Sequence, residues 1–339
     1  MAQDLSLEWL HAGIALDATQ AHELEVRLAL DADDFEARAM LLGYASRRQQ
    51  VEGVESDTFR EHLLWCIAHR PRAKLHESPL VDAEDSESLV AAMSEQWQAV
   101  LASAPDDTLL LLHAALAFRT AGEFDLARST FERLERLEPT NPQWPSLVAS
   151  CFTWRSDDVE HSARALVAIE RALALQQPRE AYTVEQAAEL TLKLHRYEEA
   201  REFALELLEL ARTRDLGWML GNAQYHGHRI LGLIALAHGD VAAAERELLH
   251  SARSITELEL RRFSPDLDLA DALLQLGRTE VVIEFLELCT RFWLPRPLHH
   301  WITAIRAGEK PELNKFLGMH FDYEARHAGD SDPPERTSR

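Results

Sequence analysis

Two prolines, Pro105 and Pro139, lie 34 positions apart and frame a segment that reads as one helical hairpin. The stretch Thr108 to Asn141 runs TLLLLHAALAFRTAGEFDLARSTFERLERLEPTN. Leu111, Ala114, Ala115 and Phe118 recur at three- and four-residue steps, which places them on one face of a first helix. Ala121-Gly122 ends that helix, because glycine takes the left-handed cap conformation at little cost. Phe124, Ala127, Phe131, Leu134 and Leu137 mark the buried face of a second helix. Pro139 stops it, since the ring removes a donor and blocks continuation.

This stretch resembles a tetratricopeptide repeat. The resemblance is carried by Ala115, Ala127 and Leu134, the aromatics Phe118 and Phe131, the turn glycine Gly122 and the closing Pro139, and the 34-residue spacing is the period of that class. It implies an all-α chain, a right-handed superhelical solenoid of antiparallel helix pairs, whose first helices line a concave face where partners bind. Repeats of this kind serve unrelated purposes, so the resemblance constrains architecture more than function.

The rest of the chain follows the same grammar. Leu7, Leu10, Ile14 and Leu16, then Leu24, Leu28 and Leu30, read as helix within residues 1–30. Asp33-Asp34 suit the cap of a helix starting near Phe35. Leu42, Gly43 and Tyr44 fall in the first helix of a divergent unit. QQVEGVESD reads as an insertion loop, Thr58 to His69 as a helix ended by Pro71, and residues 72–86 as an exposed linker. Met93, Trp97 and Val100 share a helix face that stops at Pro105. Further units are expected at about 140–175, 180–212, 216–254 and 263–292, with turns at Gly239 and Gly277. Residues 297–307 and 308–318 read as capping helices. The organisation expected is divergent helical repeats over residues 1–87, a regular solenoid over 88–320 and a disordered tail over 321–339, which has too little apolar content to offset its ordering entropy.

Charge excludes several function classes. Thirty-five basic and 57 acidic residues give a formal charge of −22. Without a dense Lys/Arg patch, neither nucleic acid nor an anionic membrane is an expected partner. No apolar run approaches the ~18 residues that span a bilayer. Three dispersed cysteines, Cys66, Cys151 and Cys289, form no disulfide framework. With no basic, apolar leader in MAQDLSLEWLHAG, the expected location is the cytoplasm.

The segment WMLGNAQYHGHRI carries the candidate site. Trp218, Asn222, His226 and Arg229 are spaced i, i+4, i+8 and i+11, so a helix puts them on one face. An aromatic ring, an amide, an imidazole and a guanidinium in line suit a protein or peptide partner, with Arg119 and Lys193 as additional contacts. Their basic groups point to an acidic segment or a C-terminal carboxylate. The plainer alternative is that Trp218 packs against the next unit and the polar groups satisfy one another or water. His226 and His228 fall on different helix faces, as do His299 and His300, so any metal site needs ligands from different helices; none is expected, nor any cofactor. No GxSxG, phosphate loop or Cys–His pair marks a catalyst. Asp266, Asp268 and Asp271 read as helix-start caps. The alternative to a binding scaffold is an enzyme or maturation factor with a His/acidic site inside the superhelix.

Within residues 218–293, GNAQYHGH, LGLIALAHGD, RRFSPDLDLA and EFLELCTRFW resemble a group of bacterial tetratricopeptide proteins of unknown function. The match includes Gly221, Asn222, His226, Gly227, Leu231, Gly232, Gly239, Asp240, Leu269, Ala270 and Cys289. The chain departs from that group at Tyr225, His228 and Asp266, where His, Asn and Asn are expected.

Overall fold

The computed structural model describes residues 4–52, 57–81, 86–156, 158–253, 266–291 and 297–313. Among these it holds sixteen α-helices, three short 3-10 turns and no strand. They belong to two compact units, Met1–Pro178 and Arg179–Arg339. No helix among the described residues is long and apolar enough to cross a membrane.

The first unit contains α1 (Ser6–Gly13), α2 (Ala18–Leu30), α3 (Phe35–Glu52), α4 (Asp57–His69), α5 (Glu87–Ser103), α6 (Thr108–Thr120), α7 (Phe124–Leu137), α8 (Gln143–Arg155) and α9 (Val159–Leu175). From α3 onward each helix packs on the one before it, and α1 packs on α3. The α6–α7 hairpin forms as its sequence dictates. Asp107 accepts from the Leu110 amide at 3.1 Å and so caps α6. Phe118 and Phe131 are buried, and each contributes about 1.5–3 kcal/mol relative to an exposed ring. Asp34 starts α3 by accepting from the Ala37 amide.

Two expectations fail in this unit. Residues 72–81 are not an exposed linker. Leu75 and His76 are buried, the Leu75 amide donates to Ser6 Oγ at 3.1 Å, and the His76 ring meets Trp97 edge-on. The polar residues of that segment disguised two buried anchors. The insertion loop also begins later than expected, because α3 continues through Glu52.

The second unit contains α10 (Ala181–Lys193), α11 (Tyr197–Thr213), α12 (Leu220–Ala237), α13 (Val241–Arg253), α14 (Asp268–Gln275), α15 (Thr279–Cys289) and α16 (Pro297–Arg306). Its largest core joins Leu248, Leu269, Leu273, Phe285, Cys289 and Trp301. Trp301 thereby seats α16 on the α14–α15 pair. Residues 308–313 are not helical, so the second capping helix is absent from the part described. Residues 314–339, including the expected tail, lie outside the described residues, as does Trp293.

Four of the hairpin turns share one geometry. The amides of Glu123, Arg196, Asp240 and Arg278 each donate to the carbonyl five residues earlier, on Phe118, Thr191, Ala235 and Leu273. That bond closes the helix when the residue before the donor is left-handed. Gly122, Gly239 and Gly277 fill that position at φ of 77°, 78° and 77°, and His195 fills it at 57°.

Candidate functional site

In the second unit, α10 and α12 lie side by side, and the segment leading into α14 closes against α12. Asn222, His226 and Arg229 all lie on α12, whereas Trp218 precedes it in a 3-10 turn and its side chain is outside the described set. The two ionisable members of the stripe converge on one residue of α10. His226 Nδ1 lies 3.3 Å from Glu189 Oε1, and Arg229 Nη1 donates to that same oxygen at 2.5 Å. His226 Nε2 faces Glu185 at 3.6 Å.

Arg229 is a buried anchor. Its Nε and Nη2 donate to both oxygens of Asp268 at 2.8 and 2.7 Å, and Nη2 also donates to Asp266 at 2.7 Å. One turn earlier, the buried Tyr225 hydroxyl donates to the Asp266 carbonyl oxygen at 2.5 Å. Residues 266–268 are therefore pinned to α12 twice. Asp266 and Asp268 still serve the helix start, accepting from the Asp268 and Leu269 amides. Asp271 instead accepts from the Leu313 amide at 3.3 Å. Tyr225 and Asp266 thus meet each other.

The cluster is rich in acceptors. Four carboxylates, Glu185, Glu189, Asp266 and Asp268, surround one guanidinium and one imidazole. Burial alone would raise Glu189, but the Arg229 charge and the His226 contact hold it down at about 2. Burial raises Glu185 above the usual carboxylate range. Burial would depress His226, yet Glu189 and Glu185 keep it above an ordinary imidazole. Glu185 Oε2 and Asn222 Oδ1 are buried acceptors without a hydrogen-bond partner. Such atoms are costly unless something donates to them.

The two outlying candidates sit elsewhere. Lys193 is exposed at the end of α10. Arg119 belongs to the first unit, where it donates to Ser150 Oγ at 3.0 Å and lies 4.4 Å over the exposed Trp154 ring. Arg119 and Trp154 border a cavity of about 240 Å³ lined also by His76, Met93, Trp97 and Leu116. Cys66, Cys151 and Cys289 are buried free thiols, and burial raises Cys66 to about 12 and Cys151 to about 11. They are packing residues rather than nucleophiles.

Sequence reasoning grouped Asn222, His226 and Arg229, which do share α12, but it missed their carboxylate partners. Only the i, i+4 spacing of Glu185 and Glu189 on α10 hinted at them. No protein-family model matches the chain, and no curated protein matches it.

Proposed function

We propose that this chain is a non-enzymatic scaffold of tetratricopeptide-like helix pairs, arranged as a solenoid, that binds an extended protein or peptide segment along α10 and α12. The observation that carries the reading is the set of buried acceptors without partners, Glu185 Oε2 and Asn222 Oδ1, on adjoining helix faces. The acidic partner suggested by the stripe's basic residues needs a free guanidinium. Arg229 instead makes four hydrogen bonds to three carboxylates of its own chain. The surplus of acceptors favours a segment that brings donors, such as a lysine, an arginine or a free N-terminal amine.

A displayed random-peptide library selected on the full chain tests this. Enriched peptides should carry a basic residue or a free amine. They should bind at least ~10-fold more weakly to a Glu185→Gln/Asn222→Ala variant whose circular dichroism and unfolding midpoint are unchanged. Enrichment of acidic peptides, or equal binding to the variant, would overturn it. One observation favours a second reading: His226 lies between two carboxylates of another helix, as a general base does. A hydrolytic or maturation activity lost in His226→Gln but kept in Arg119→Ala would establish that reading instead.

A further inference from the structure

The opposite side of α12 holds a second cluster. His228 is two residues beyond His226, about 200° around the helix, and it faces α13 instead of α10. Its Nδ1 lies 2.7 Å from Glu247 Oε2. One turn on, His250 brings its ring to 5.3 Å from that of His228. Ligand atoms of His228, Glu247 and His250 all lie within 4.8 Å of one another.

The backbone is shaped for this encounter. Gly232 is one turn beyond His228 on the same face of α12. A Cβ there would sit 3.2 Å from Glu247 Cβ and 2.4 Å from Leu269 Cδ2. The missing side chain lets α13 approach α12 at Glu247. Because the helices run antiparallel, the next turn of α13 then places His250 across from His228. Glu247 and His250 stand at i and i+3, a spacing that projects a carboxylate and an imidazole to one side of a helix.

We propose that His228, Glu247 and His250 form a zinc-binding site that clips α12 to α13. Two imidazoles and one carboxylate suit zinc, whereas magnesium and calcium take all-oxygen sets. Tetrahedral zinc, with ligands at 2.0–2.2 Å, sets its donor atoms about 3.4 Å apart. Rotation of the exposed His250 ring closes the set from its present spread. The His228–Glu247 pair opens slightly, and the ring takes the tautomer with its hydrogen on Nε2, which frees Nδ1 and the Glu247 carboxylate for the ion. Three protein ligands leave a fourth position to water. His228 and Glu247 are only 20% and 25% exposed, so both are already held in place, and His250 is the accessible edge through which the ion enters.

The test is calorimetric titration of zinc chloride into metal-free, tag-free full-length protein, paired with cobalt(II) absorption. The expected result is one equivalent bound with micromolar or tighter affinity, and the visible spectrum of four-coordinate cobalt. The unfolding midpoint should rise by at least about 3 °C with saturating zinc. His228→Ala, Glu247→Gln and His250→Ala should each weaken binding at least ~10-fold, while His22→Ala, in the first unit, leaves it unchanged. His250 is exposed, so its variant keeps the fold. No stoichiometric binding to the wild type, or full binding by His250→Ala and His228→Ala, would overturn the proposal. Displacement of zinc by millimolar magnesium would do the same.

Discussion

At the residue scale, Arg229 illustrates how one side chain is both legible and misread. Its place on a polar face followed from spacing alone. Its role followed from residues roughly one repeat away on either side, Glu189 and Asp266–Asp268, and no local pattern among 57 acidic residues singles those out. Replacing it with methionine keeps the volume but leaves Asp266 and Asp268 without a cation and Glu189 with His226 alone. Breaking a buried ion pair from one side costs about 3–5 kcal/mol, and the partial exposure of Asp266 brings this to about 2–4 kcal/mol. Arg229→Lys recovers little, because an ammonium cannot hold Asp268 at both oxygens. Urea unfolding at pH 7 measures both, and a loss under 1 kcal/mol for Arg229→Met would show that the cluster does not anchor residues 266–268. His195 was harder to read. It occupies the left-handed position that glycine fills in three other turns, and only the alignment of LHRYEEA with AGEFDLA reveals the equivalence.

At the element scale, helix pairing is set as much by missing side chains as by apolar stripes. The crossing of α1 and α3 is the sharpest case. A Cβ on Gly43 would lie 1.9 Å from the Leu10 carbonyl oxygen, and one on Gly13 would lie 2.0 Å from that of Met40. Alanine gains about 1 kcal/mol of helix propensity over glycine. Here the obstacle is backbone, so the helices must separate and expose Leu10 and Leu41, both fully buried. Overpacking dominates, and Gly43→Ala should destabilise the chain by about 2–3 kcal/mol. Thermal unfolding checks this, and a raised midpoint would mean that α1 yields at little cost. Periodicity made the helices legible, and Gly122, Gly239 and Gly277 made the turns legible. The close crossings were less so, because a glycine inside a helical pattern gives no sign of what approaches it. The segment 74–77 misled for the opposite reason, since its two buried residues sit among charged neighbours.

At the scale of the whole chain, the two units carry titratable groups whose responses to acid have opposite sign. In the first unit, burial lowers His62 to about 4 and His76 to about 3, the latter helped by neighbouring His113. Glu61 and Glu25 oppose the shift at His62 while Arg38 adds to it, and Asp4 opposes it at His76. Both imidazoles are neutral when folded and gain protons on unfolding below about pH 6.5. Their folded-state values lie below the unfolded one, so stability is full above pH 6.5 and is lost as pH falls towards 4. Each group contributes a slope of up to about 1.4 kcal/mol per pH unit, so the first unit loses on the order of 3 kcal/mol between pH 7 and pH 5. His226 in the second unit behaves in reverse. Its folded value is raised, so its contribution is complete below the unfolded value and disappears as pH rises through the folded one. Hydrogen exchange read peptide by peptide should therefore show faster opening in α3–α5 at pH 5 than at pH 7, after correction for the intrinsic rate. The peptides of α10 and α12 should show no such acceleration. Imidazole resonances of His62 and His76 should not titrate above pH 5. Equal protection of α3–α5 at both pH values, or a ring titrating near 6.5, would show that these histidines are not held neutral by burial.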